Sequence, residues 1–143
     1  MVSVSLLSSE KKVTTSVALC CYNGIAYIEQ QIESILNQTV AVDEIVISDD
    51  KSTDETIKKV KFLIKQRKEK PPTIKIIQGE RLGITKNFER AIKACSGDII
   101  FLCDQDDIWI PEKVEVILSE FQATPDSLLA FSNAYIVDEN ANK

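Results

Sequence analysis

EIVISDDKSTDET (residues 44–56) changes character twice within a short span. Its first five residues are rich in the β-branched types that suit a pleated surface. Asp49 and Asp50 end the apolar run, and Ser52 followed three residues later by Glu55 has the spacing of a capping box, which places a helix start at Ser52. Ile57, Val60 and Ile64 continue as an apolar stripe at helical spacing. The stretch therefore reads as strand, acidic turn, helix.

The same unit recurs on both sides. Towards the N-terminus, residues 13–19 (VTTSVAL) predict a strand, CCYNG breaks it, and Ile25, Ile28, Ile32, Ile35 and Leu36 predict a helix over about 25–37. Towards the C-terminus, Pro71-Pro72 stops the second helix and residues 73–77 (TIKII) form the third strand candidate. Phe88, Ala91, Ile92 and Cys95 mark a third helix, expected to end near Ser96-Gly97 on a C-terminal glycine. Residues 98–103 (DIIFLC) predict the fourth strand, and Pro111 is expected to open a fourth helix carrying Val114, Ile117, Leu118 and Phe121. Residues 128–131 (LLAF) predict a fifth strand. Strand and helix alternate four times, which predicts an α/β fold: a mainly parallel, twisted sheet with helices on both faces.

Polar residues collect just behind these strands, at Asn23, Asp49-Asp50, Gln78 to Arg81, and Asp104 to Asp107. In a parallel sheet the carboxyl ends of the strands share one edge, so these loops should meet in a single crevice, the edge where open α/β sheets bind ligands. In an extended segment Asp104 and Asp106 would point to the same side, because side chains alternate with period two. Two oxygen ligands on one side suit Mg²⁺ or Mn²⁺, with phosphate oxygens completing the shell. A solvated turn is the common use of such a run, and its place at a strand end is what raises the metal reading above that. Trp109 is expected to pack behind the loop, and Cys20 and Cys21 to be core residues, since nothing in sequence activates a thiolate.

The whole composition narrows the classes. The 143 residues suit one compact domain, divided here into a loose leader over 1–12 and a domain over 13–143. MVSVSLLSSEKK lacks the basic and apolar regions of a secretory signal. No segment approaches the roughly 20 apolar residues of a membrane span. The four cysteines show no paired Cys-x-x-Cys spacing and read as reduced thiols. A net charge of −5 argues against a nucleic-acid partner, and the lysine-rich run at 58–70 reads as a solvated helix face. There is no histidine, which excludes a Ser-His-Asp or Cys-His nucleophile and a histidine general base. The four glycines form neither a dinucleotide fingerprint nor a P-loop, and the acidic segments fail as EF-hand loops.

Several motifs occur in a familiar order: SVALCCYNG, IESILNQT, EIVISDDKSTDET and GITKNFERAIKACSGDIIFLCDQDDIW. Over about residues 13–140 the chain resembles the N-terminal, donor-binding half of inverting family 2 glycosyltransferases with the GT-A (Rossmann-like) fold. The resemblance implies that Cys20 and the loop of Asn23 surround the base and ribose of a nucleotide. It further implies that Asp50 accepts the imide N–H of uracil or thymine and that Lys86 lies near the nucleotide. Asp104 and Asp106 would form the Asp-x-Asp motif, with Asp106 a direct ligand of Mg²⁺ or Mn²⁺ and Asp104 facing ribose or metal. The wording DQDDIW, YNG and GITKNFE is most similar to a bacterial rhamnosyltransferase-like subgroup. The implied reaction moves a sugar from a UDP- or dTDP-sugar to a glycan or polyprenyl-linked acceptor in cell-surface polysaccharide synthesis, in the cytoplasm or at the inner face of the membrane. Its general base is expected in an acceptor-binding half beyond Lys143, so the fold is expected to be truncated at the C-terminus and the chain alone to bind donor better than it turns it over. The alternatives are a non-catalytic nucleotide- or metal-binding module on the same sheet and, ranked last, a phospho-acceptor domain, which expects an aspartate where this chain has CCYN.

Overall fold

The computed structural model describes residues 12–67 and 71–137. Residues 1–11 of the expected leader, and Asp138 onward, lie outside the described residues. The element order is β1 (Thr15–Cys21), α1 (Ile28–Leu36), β2 (Glu44–Asp49), α2 (Thr56–Gln66), β3 (Thr73–Gln78), α3 (Ile84–Ala94), β4 (Ile99–Asp104) and α4 (Lys113–Ala123). The four strands form one sheet in the order β3-β2-β1-β4, and every pairing is parallel. β1 and β2 are buried along their whole length, as the inner strands of a covered parallel sheet should be.

Alternation sorts the strand residues between two cores. Val17, Leu19, Ile45, Ile47, Phe101 and Cys103 face α1, α2 and α4, packing with Ile28, Ile32, Ile35, Val60, Leu63 and Val114. Ala18 and Cys20 face the other way, onto Ala91 of α3 with Phe88, Cys95 and Ile100 around them. The chain steps from β1 to β2 to β3 in one direction and then crosses back to β4. Right-handed crossovers put α1 and α2 on one face and α3 on the other. The reversal leaves a gap between the departing ends of β1 and β4, the topological switch point of the sheet.

Five local expectations are corrected. The capping box does not form: α2 begins at Thr56, whose amide donates to Asp54 at 3.0 Å. The Ser52 hydroxyl is taken instead by a bond it donates to Asp49 and one it accepts from the Asn23 amide. α1 starts at Ile28 rather than near 25, because Tyr27 and Ile28 first close a turn onto the Gly24 carbonyl. Gly97 is not a left-handed helix cap, since α3 ends into an extended Cys95. A Cβ at Gly97 would stand 2.7 Å from the Ser16 amide nitrogen, so glycine is needed there to let the chain pass against β1. Residues 128–131 form no strand, and Leu128, Leu129 and Phe131 are exposed. Apolar composition supplies a preference, but a strand also needs a ladder, and this segment runs beside β4 and α4 without joining the sheet. Pro111 precedes α4 by a short turn, with Glu112 at its N-cap.

Candidate functional site

The loops that follow the four strands are bound to one another by side chains and amides. Asn23 adopts a left-handed conformation (φ 49°), which lets its amide donate to Ser52 Oγ while its Oδ1 accepts the Thr53 amide at 2.8 Å. Gly24 and Ile25 donate to Thr56 Oγ1 and Asp54 Oδ2. The Asp50 amide donates to the Cys21 carbonyl at 2.8 Å. Lys51, Arg81 and Gly83 also have positive φ. All four positive-φ residues among the described residues therefore sit at the carboxyl edge of the sheet, which is where functional sites concentrate such strain.

Asp50 is only 4% exposed. Its carboxylate accepts the amides of Leu82 at 3.1 Å and Gly83 at 2.8 Å, and the Arg90 guanidinium lies 3.7 Å away. Arg90 is itself held by Ser48 Oγ, the Asp49 carbonyl and Asn87 Oδ1. Gly79 makes room for it, since a Cβ there would stand 2.0 Å from an Arg90 nitrogen. The loop anchored on Asp50 carries Arg81 over the Tyr22 ring, 5.2 Å from its centroid, in a cation–π contact. This is a buried carboxylate with fixed donors on one side and an aromatic face beside it.

The acidic loop leaves β4 at the other side of the gap. Cys20 lies in register between Ser48 of β2 and Asp104 of β4. Burial pushes the Cys20 thiol up to about 12, with Asp104 the next cause, Asp50 adding to it and Arg90 opposing it. Cys20 is thus a neutral thiol lying among Asp50, Asp104 and Arg90, not a nucleophile. Asp104 is half-buried, and its carboxyl is raised by burial and then by the charges of Asp106 and Asp107. Asp106 and Asp107 are exposed.

Residues 105 and 106 form a turn, so the period-two argument for Asp104 and Asp106 does not apply. The turn keeps Asp106 and Asp107 near enough for their charges to add to burial in raising the Asp104 carboxyl. No cluster of three or more His, Cys, Asp or Glu side chains among the described residues forms a ready metal cage. The donor set nevertheless fits a hard divalent ion. Its side chains are oxygen ligands, the nearby Cys103 thiol is held protonated by burial, and a cation would relieve the repulsion that raises Asp104.

The structure thus brings Cys20, Asp50 and Asp104 to one crevice. Asn23 borders it with its side chain turned to Thr53, and Lys86 is exposed on α3, paired with Glu89 at 2.8 Å. Trp109 packs behind the acidic loop as expected, against Phe101 at 5.7 Å between ring centroids. Arg90 and Tyr22 escaped the sequence reading, and the loops expected at this edge gave no sign of the contacts made by Arg81 over the Tyr22 ring and by Gln105, whose side-chain amide bonds both main-chain groups of Tyr22. For Arg90 a signal existed, since it lies one helical turn from Asn87 beside the apolar stripe of α3.

Comparison with known proteins follows this geometry. The family model for glycosyl transferase family 2 matches residues 16–143. The dTDP-rhamnosyl transferase RfbG of Shigella flexneri is 33% identical over 127 residues, covering 85% of this chain and 40% of that protein. S. aureus TarS (residues 1–349) in complex with UDP-GlcNAc superposes with a TM-score of 0.68 at 25% identity, over 77% of this chain and 31% of that one. The glucosyl-3-phosphoglycerate synthase of Mycobacterium tuberculosis, in complex with Mn²⁺, UDP and glucosyl-3-phosphoglycerate, superposes with a TM-score of 0.59 at 27% identity, over 79% and 40% of the two chains. The chain spans less than half the length of the curated relatives it matches.

Proposed function

Because this chain belongs to glycosyl transferase family 2, we propose that residues 13–143 form the donor-binding part of an inverting glycosyltransferase that uses a UDP- or dTDP-sugar. The acceptor in this reading is a glycan or polyprenyl-linked saccharide of bacterial surface polysaccharide. The observation that carries it is the crevice at the switch point, where buried Asp50 and half-buried Asp104 flank Cys20 from the two neighbouring strands. Open α/β sheets bind ligands at that place.

In this reading the loop of Cys20 and Asn23 surrounds the nucleoside. Asp50 accepts the imide N–H of the pyrimidine with lone pairs left over from the Leu82 and Gly83 amides, while Arg90 keeps the carboxylate aimed. Lys86 reaches the nucleotide by leaving Glu89, an exposed pair that costs little to break. Asp104 and Asp106 hold Mg²⁺ or Mn²⁺. When bound there, such an ion offsets the charge that builds on the departing diphosphate. TarS with UDP-GlcNAc and the mycobacterial synthase with Mn²⁺ and UDP support the nucleotide and the metal, and the rhamnosyl transferase supports thymidine as the rival base. A cytoplasmic site, or one at the inner membrane face, suits such donors; no helix among the described residues is long and apolar enough to cross a membrane.

Calorimetric titration of UDP and of dTDP, in Mn²⁺ and in EDTA, tests this on the wild-type chain and on Asp106→Ala. The expected result is binding in Mn²⁺ that weakens by about tenfold or more in EDTA and in the variant. Nucleotide binding of equal strength with and without metal would instead favour a non-catalytic module on the same sheet. Absence of binding to a folded sample would remove the donor-site reading.

A further inference from the structure

The β1–β4 ladder ends at the pair Cys20 and Asp104. One residue further on, the side chain of Gln105 continues it. Its Oε1 accepts the Tyr22 amide at 2.9 Å, and its Nε2 donates to the Tyr22 carbonyl at 3.2 Å. A primary amide offers one donor face and one acceptor face, as a peptide group does, so it closes a two-bond ring on a strand's main chain. Gly24 keeps the space open: a Cβ there would stand 2.2 Å from Gln105 Oε1. Tyr22 is the residue beneath Arg81, whose loop Asp50 anchors, and Gln105 is flanked by Asp104 and Asp106.

We propose that Gln105 is a positioning residue that couples the acidic pair Asp104 and Asp106 to the nucleoside-binding loop, through its amide ring on the Tyr22 main chain. The inference rests on the donor-site reading above. Nucleoside and diphosphate are joined at a fixed length, so the ion site and the base site must keep a fixed separation to be filled by one ligand. The ring sets that separation. Glutamine is suited to it in a way its relatives are not. Glutamate would turn an acceptor towards the Tyr22 carbonyl and add a negative charge between Asp104 and Asp106. Leucine would keep the bulk and lose both bonds, and asparagine falls one methylene short.

The test measures UDP affinity in Mn²⁺ and in EDTA, together with thermal melting, for the wild type, Gln105→Leu, Gln105→Glu and Gly24→Ala. The last variant leaves the glutamine in place and displaces its amide, so it reaches the ring by a second route. The ratio of the two dissociation constants is the metal–nucleotide coupling. In the variants that ratio is expected to fall by about tenfold, beyond any change in metal-free affinity, with the melting temperature within about 2 °C. An unchanged ratio overturns the proposal, and so does a parallel fall of metal-free affinity and melting temperature, which would mark Gln105 as structural only. A wild-type chain with no metal-dependent UDP binding overturns the donor-site reading itself, a result seen before any variant is compared.

Discussion

Glu44 shows how much a single buried carboxylate does at the end of the sheet opposite the crevice. It lies at the start of β2, where burial alone would raise its pKa. Bonds from the Ser16 hydroxyl, Lys75 and the Ser96 amide outweigh that and hold it at about 2, against an ordinary 4.5. A folded pKa below the unfolded one means stability that is complete above about pH 4.5 and is lost as pH falls towards about 2. The contribution is at most about 3 kcal/mol. Glu44→Gln is therefore expected to lower the melting temperature at pH 7 and to flatten the stability profile over that acidic window, measured by thermal denaturation across pH. Glu44 and Asp50 illustrate the limit of reading residues singly. Both appear in the sequence as charges beside apolar runs, and only the folded arrangement shows that the first is tied to three chain segments and the second to the amides of a distant loop.

At the level of elements, every strand and helix of the core was legible from periodicity, because β1 and β2 are continuous apolar runs and the helices carry apolar stripes. The boundaries were less so, and each error has a local cause. Ser52 has the right neighbours for a cap, but its hydroxyl is used to pin the β1 loop, and Asp54 serves the first turn of α2 instead. Residues 128–131 have strand composition without a ladder partner. Gly97 has the place of a helix cap and the job of a spacer. That last distinction is testable. A left-handed cap glycine tolerates asparagine, whereas a spacer accepts no side chain. Both Gly97→Ala and Gly97→Asn are expected to destabilise by about 1–3 kcal/mol through forced displacement of the Ser16 backbone. Denaturant unfolding measures it, and an asparagine variant as stable as wild type would return Gly97 to the role of cap.

For the molecule as a whole, alternation of strand and helix implied a parallel sheet but not its order. The order β3-β2-β1-β4 depends on which face α3 takes, and the clue lies in side-chain size. On the α3 face β1 and β2 present Ala18, Cys20, Val46 and Ser48, and on the other the bulkier set Val17, Leu19, Ile45 and Ile47. That order separates the ends of β1 and β4; the shared carboxyl edge that gathers Asp50 and Asp104 was legible from the parallel alternation alone, while the contact made by Gln105 was not. Its partner Tyr22 stands 83 residues away and carries no mark of the contact, because Gln105 bonds only its main chain. This indifference to the side chain divides the crevice into two heritable parts. Under the donor-site proposal, position 22 is free to drift in identity, and with it the face offered to a base, without loosening the tie to the acidic loop. On that proposal, selection on donor choice samples new bases while the diphosphate end is kept. A library of all substitutions at position 22, sorted for UDP against dTDP binding, should yield variants with altered base preference and unchanged dependence on Mn²⁺. If every shift in preference also weakened the metal dependence, the two ends would have to evolve together.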